Sequence, residues 1–147
     1  MPDRIPHHKD GAWEVYAHGA DVGVRGFGLS RDRAFEEAAY ALTAAVVDPD
    51  SIRRHEVVDI VCNAGSDALL LREFLSALLR ETTQRGMLFG RFAVTSRNQG
   101  LTARAWGEAY DEDRHRMVAN VAAIADAELE VARDTEGNWM AQCILEL

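Results

Sequence analysis

The sequence predicts an α+β fold: a single two-layer domain with about seven mostly antiparallel strands and two helices on one face. Apolar residues recur at helical spacing in only two segments, whereas about seven shorter segments have the alternation or apolar content of strands. The resulting order, ββαβαββββ, is typical of helices that pack together against one side of an antiparallel sheet. A chain of 147 residues is also long enough to enclose one hydrophobic core.

A strand–turn–strand unit opens the predicted domain. Residues 13–18 alternate between apolar and polar types, and residues 22–28 form a second strand after a turn at 19–21. The three glycines of the second strand indicate a bulge or a close approach of another backbone. The remaining strands are expected at 56–62, 88–96, 101–109, 121–131 and 139–146.

The two helices carry recognisable start and stop signals. Ser30 is a good N-cap for a helix over 31–47, which Pro49 prevents from continuing. Ser66 begins the second helix, whose wide leucine-rich stripe ends at Gly86, a residue suited to the position after a helix. We expect this second helix to be the main support of the core.

The predicted strand at 121–131 presents an acidic face. Asp126, Glu128 and Glu130 alternate with apolar residues and therefore lie on the same side. Like charges on one sheet face repel each other unless water, a cation or a basic partner screens them. A solvated acidic ladder is the simpler interpretation, and an added cation site or partner surface is the alternative.

Composition limits the classes of protein to consider. A net charge of −8 and a pI near 5.0 argue against strong direct binding of nucleic acid, which requires a basic surface, and suit docking on a basic protein. No apolar run reaches the length of a membrane span, and no signal peptide is visible, so we expect a cytoplasmic protein.

Cys62 and Cys143 lie in apolar contexts that favour buried, reduced thiols. Residues 1–11 are expected to form a flexible tail and residues 12–147 the domain.

The chain lacks the motifs of common enzymes. It has no nucleophile elbow, no phosphate-binding glycine loop before a helix and no zinc-ligand spacing. A different chemistry is suggested by Asp21 in the first turn and by Glu146 beside the terminal carboxylate of Leu147. If the fold brings these groups together, they form an oxygen-rich pocket of the kind that hard cations prefer. Asp21 is equally explained as a turn residue, and Glu146 as an exposed strand residue.

Two histidines have similar alternatives. His18 lies on the polar side of the first strand, where it could support the acidic pocket or simply make a surface hydrogen bond. His115 lies in a charged loop and is expected to be solvated.

An ordered set of residues along the chain resembles the archeases. The set comprises His18, Asp21, Gly23 and Val24 at the first turn, the helix residues 34–39, Asp48 after that helix, the group Gly107, Glu108, Tyr110 and His115, and the C-terminal strand from Trp139 to Leu147. The resemblance runs from about residue 13 to residue 147. No single motif is specific, but their order is.

The resemblance implies a function and a ligand set. Archeases are small α+β proteins that act as protein cofactors, not enzymes, for the RNA ligase that joins tRNA halves. They promote guanylylation and turnover of that ligase. By this resemblance Asp21, Asp48 and Glu146, with the terminal carboxylate of Leu147, would hold a divalent metal ion, expected to be calcium.

The chain departs from the family pattern before residue 129. Where the family has a lysine this sequence has Ala122, and the family's threonine, tyrosine and histidine are Ala125, Asp126 and Ala127. Alanine can neither neutralise a phosphate nor donate a side-chain hydrogen bond. The alternative function is therefore a diverged scaffold or chaperone-like binding module that no longer activates a ligase, and a small metal-dependent hydrolase is a third.

Overall fold

The computed structural model describes residues 11–147 and confirms the α+β class. The predicted tail, apart from Gly11, lies outside the described residues. The elements in chain order are β1 (Ala12–His18), β2 (Asp21–Gly28), α1 (Arg31–Val46), a 3-10 turn (Pro49–Ser51), β3 (Glu56–Asn63), α2 (Asp67–Arg85), β4 (Met87–Arg97), β5 (Gly100–Ala109), β6 (Ala123–Ile124), β7 (Glu130–Arg133) and β8 (Trp139–Glu146).

The strands of residues 11–147 divide between two antiparallel sheets. The larger has five strands in the order β1-β2-β8-β6, and β7 also pairs with β8. The smaller has three strands in the order β3-β5-β4. Strand β8 is therefore the centre of the larger sheet, since it pairs with β2 on one side and with both β6 and β7 on the other.

Helix α1 joins the two sheets, because it packs on β2 of the larger sheet and on β4 of the smaller. The approach to β2 is close: a Cβ at Gly26 would lie 2.2 Å from the backbone oxygen of Ala34 and from the nitrogen of Ala38. Gly26 therefore marks a close backbone approach, one of the two features expected of the second-strand glycines. Phe35 of α1 stacks on Phe74 of α2 with ring centroids 6.4 Å apart, and both rings are fully buried.

The predicted helix boundaries are confirmed. The hydroxyl oxygens of Ser30 and Ser66 accept hydrogen bonds from the backbone N–H three residues later and so cap the two helices. Gly86 follows α2 in the left-handed conformation, with φ of 67°, which few other residues adopt at low cost.

The single strand predicted at 121–131 is wrong. Only residues 123–124 and 130–133 are strands, and Glu128 between them has a positive φ of 56°. Both short strands pair with β8, so the intervening residues leave the sheet. Alanine and acidic residues have low strand propensity, and the side chain of Asp126 contacts Arg72 on α2 instead. The predicted acidic ladder is consequently broken.

Both cysteines are free and buried, as predicted. Among residues 11–147, no helix has the length and apolar character that a membrane crossing requires.

Candidate functional site

The first turn places His18 and Asp21 at the end of the β1–β2 hairpin. They are a cross-strand pair joined by a two-residue loop, in which Gly19 has a φ of 60°. Glycine at this position suits the tight turns that match the twist of a hairpin. The turn therefore sets the position of the Asp21 carboxylate at the end of the hairpin.

The C-terminal end of β8 lies directly beside this turn. Val22 pairs with Leu145, and continuing the register by one residue sets Asp21 opposite Glu146. The Leu147 backbone N–H donates a 3.1 Å hydrogen bond to Oδ1 of Asp21, across 126 residues of sequence. The early acidic turn and the C-terminal strand thus meet, which is the condition that the sequence analysis set for a shared acidic pocket. Two carboxylates on directly opposite strand residues repel each other unless a cation or a basic partner screens them.

Asp48, another of the residues expected to hold a metal ion, caps the 3-10 turn that follows α1. Its Oδ1 accepts a 3.0 Å hydrogen bond from the Asp50 backbone N–H. Within residues 11–147, no group of three or more His, Cys, Asp or Glu side chains is arranged to hold a metal ion. The side chains as they stand therefore do not form a ready-made metal cage, although Asp21 and the end of the chain are together.

A connecting segment, residues 111–122, links the end of α1 to the end of β8. The Val118 N–H donates a 2.8 Å hydrogen bond to the Val46 carbonyl, the last residue of α1. Four residues later, the Ala122 N–H donates a 2.7 Å hydrogen bond to the Glu146 carbonyl. The connecting segment therefore ties the C-terminal end of α1 to the C-terminal end of β8.

A buried carboxylate anchors the start of this segment. Glu108, at the end of β5, is 7% exposed and accepts a 2.6 Å hydrogen bond from the Arg53 backbone N–H. It also accepts a hydrogen bond from the Arg114 guanidinium and lies 3.0 Å from Nε2 of His115. Because Nδ1 of His115 accepts from the Asp111 N–H at 2.9 Å, Nε2 is the nitrogen that donates to Glu108.

The prediction of a solvated His115 is wrong. Its side chain is fully buried, since Glu108 provides a partner for its polar edge and Tyr110 stacks on its ring with centroids 6.0 Å apart. Burial by itself would raise the pKa of Glu108. The hydrogen bonds from Arg53, Arg114 and His115 outweigh it and lower that pKa from 4.5 to about 2. Glu108 is thus ionised at neutral pH.

His18 lies at the other edge of the candidate site. Its Nε2 pairs with the Glu128 carboxylate, and both side chains are about half exposed. The Glu128 carbonyl also accepts a 2.9 Å hydrogen bond from the Gln142 amide on β8. Through these two contacts, Glu128, which lies between β6 and β7, is held against the first hairpin and against β8.

Comparison with known proteins shows the family to which the chain belongs. The model of the Archease protein family (MTH1598/TM1083) matches residues 13–147, which include the first hairpin, the connecting segment and all of β8. The chain belongs to the archease family. The archeases of Pyrococcus abyssi and Pyrococcus furiosus are each 33% identical to it over 139 residues, which cover 92% of this chain and 98% of each relative.

A solved structure extends the comparison to the fold. The solution structure of Methanobacterium thermoautotrophicum protein 1598 superposes with a TM-score of 0.75 at 25% sequence identity, covering 92% of this chain and 98% of that one. The fold is therefore similar over most of the chain.

Residue-by-residue reasoning missed the Glu108–His115 pair. Both residues belong to the ordered archease pattern, and their place in that pattern could have indicated that they act together. The charged neighbours of His115 pointed instead to solvent.

Proposed function

We propose that this archease is a cytoplasmic protein cofactor of an RNA ligase, which it activates by promoting guanylylation and turnover in tRNA splicing or RNA repair. Membership of the family over residues 13–147 supports the proposal. The net charge of −8 suits a protein that docks on the basic surface of an enzyme that handles RNA. On this proposal the chain is an accessory protein, not itself an enzyme.

The observation that carries the proposal is the contact between Asp21 and Leu147. This contact brings the Asp21 side chain to the C-terminal end of β8. We call the acidic surface that Asp21, Glu146 and the terminal carboxylate of Leu147 would form there the carboxylate face. The Asp21 side chain and the end of the chain come together only in the folded protein, so substitution at Asp21 should alter this surface and little else. We propose the carboxylate face as the part that meets the ligase.

A divalent cation remains part of the proposal, with calcium the expected ion. By the family resemblance its ligands would be the carboxylates of the carboxylate face together with Asp48, whose carboxylate would have to release its hydrogen bond from the Asp50 N–H. Such a cation would offset the repulsion between Asp21 and Glu146. His18, next to Asp21 in the hairpin, would help to hold the face in place through its contact with Glu128.

The test is guanylylation of the RNA ligase from the same organism. The assay compares the ligase alone, with this protein, and with its Asp21→Asn and Glu146→Gln variants, in calcium and in EDTA. We expect the wild-type protein to accelerate guanylylation, each variant to lose most of the acceleration, and EDTA to lower it.

Asp59→Asn is the matched control, because Asp59 is an exposed carboxylate on β3 of the smaller sheet. It should activate like the wild type. Full activation by both Asp21→Asn and Glu146→Gln would show that the carboxylate face is not the docking surface. If the wild-type protein does not accelerate an active ligase, the proposed function is wrong.

The second candidate is a scaffold or chaperone-like module that keeps the fold without activating a ligase. It is favoured by the region from Ala122 to Ala127, which carries alanines at most positions and has only two residues in a strand. Binding to the ligase without acceleration in the same assay would support this candidate.

A further inference from the structure

A groove of about 440 Å³ lies between α2 and the chain around β6, apart from the carboxylate face. Its helical wall carries Arg72, Ser76, Arg80 and Thr83. These residues are four, four and three positions apart, so they form one stripe along α2. The Arg72 and Arg80 guanidinium groups and the Ser76 hydroxyl thus line the same space, and both kinds of group donate hydrogen bonds to anionic oxygens. The Thr83 hydroxyl instead donates a 3.2 Å hydrogen bond to the Arg80 carbonyl.

The opposite wall is made largely of small side chains. Ala122, Ala123 and Ile124 line it, and none of them reaches across to the arginines. The volume lies within the range of small-ligand sites, roughly 300–1,000 Å³. The small side chains of Ala122 and Ala123 therefore leave space in front of the arginines.

The two arginines differ in their partners. Arg72 is bound to Asp126 at 2.5 Å, and Asp126 is itself part of the groove, with 78% of its side chain exposed. Glu73 lies farther from Arg72, at 3.7 Å. Arg80 is exposed and makes no ion pair with a carboxylate among residues 11–147. Arg80 is thus open to an outside anion, whereas Arg72 is held by the exposed carboxylate of Asp126.

We infer that this groove binds a phosphate group, carried either by a free nucleotide or by an RNA backbone. Arg80 and Arg72 would hold the phosphate oxygens, since guanidinium groups match phosphate in shape and charge. When no phosphate is bound, Asp126 pairs with Arg72, and it therefore competes with the phosphate for this guanidinium group. The inference does not depend on ligase activation, so either can fail without the other.

The test measures binding directly, on the intact protein at low ionic strength. Calorimetry uses pyrophosphate and GTP as probes, and fluorescence anisotropy uses a labelled decauridylate. We expect saturable binding that Arg80→Ala weakens about tenfold, the usual effect of losing one charge-assisted contact. Asp126→Asn should instead strengthen binding several-fold, because it removes the internal competitor of the phosphate.

Arg85→Ala is the matched control, since Arg85 lies on the same helix, is exposed and is not part of the groove. It should bind each probe like the wild type. The probe that binds more tightly identifies the source of the phosphate, nucleotide or RNA. The inference is overturned if no probe saturates, if Arg85→Ala weakens binding as much as Arg80→Ala, or if Asp126→Asn fails to strengthen it.

Discussion

The buried carboxylate of Glu108 makes a stability prediction that can be tested over a range of pH. The Glu108→Gln substitution keeps the length and shape of the side chain and one acceptor oxygen, but it removes the negative charge. The backbone N–H of Arg53, the guanidinium of Arg114 and the imidazole of His115 then share a weaker acceptor. Because the site is buried, water cannot replace the lost interaction easily.

The size of the effect follows from the pKa of Glu108, which the fold lowers from 4.5 to about 2. At ~1.4 kcal/mol per pKa unit, the ionised carboxylate stabilises the folded state by about 3 kcal/mol at neutral pH. The folded pKa lies below the unfolded one, so this contribution is complete well above pH 4.5 and disappears as the pH falls through about 2. At pH 3 it should be less than half as large, about 1.4 kcal/mol.

Urea unfolding of wild type and Glu108→Gln at pH 7 and pH 3 measures this directly. The two free energies of unfolding should differ by about 3 kcal/mol at pH 7, and the gap should shrink at pH 3. Asp59→Asn, which removes an exposed carboxylate 3.4 Å from Arg104, should cost less than about 1 kcal/mol. The reasoning is refuted by a gap under about 0.5 kcal/mol at pH 7, or by an equal gap at both pH values.

Three further predictions concern the core. Gly26→Ala should destabilise the protein by about 2 kcal/mol or more in thermal unfolding, because its Cβ would lie 2.2 Å from the α1 backbone. Gly65→Ala, with no atom within 4 Å of the added Cβ, is its control, and equal losses would contradict the packing argument. Phe74→Ala should cost about 3–5 kcal/mol in urea unfolding, since the ring is fully buried, and a loss below about 1 kcal/mol would contradict its place in the core. Cys143, whose pKa is raised to about 12 by burial, should react with a thiol reagent only after denaturant unfolds the chain, and rapid reaction of the native protein would contradict that burial.

Local sequence patterns determined most of the elements. Ser30 and Ser66 mark helix starts because their side chains accept hydrogen bonds from backbone N–H groups three residues later. Gly86 marks the end of α2 because glycine readily adopts the left-handed conformation that follows a helix. Strands β3, β5 and β8 were found from alternation or apolar content in the same way, within one residue of their observed bounds. Such signals depend only on neighbouring residues and can therefore be read from the chain.

The errors arose where distant residues decide the structure. The segment at 121–131 alternates like a strand, yet β8 pairs with only its two ends, and Arg72 of α2 holds Asp126 between them. His115 has charged neighbours in sequence, but its environment is set by Glu108 of β5, which makes burial favourable by offering an acceptor.

By itself, then, the sequence determined the class of fold, the helices with their caps and the acidic character of the first turn and of the last strand. Only the tertiary structure decided that the strands form two sheets and that Asp21 meets Leu147, 126 residues away. Only it decided which cations face the groove beside β6. The physical reason is that backbone preference is encoded locally, whereas register, burial and charge pairing depend on which distant surfaces the core brings together.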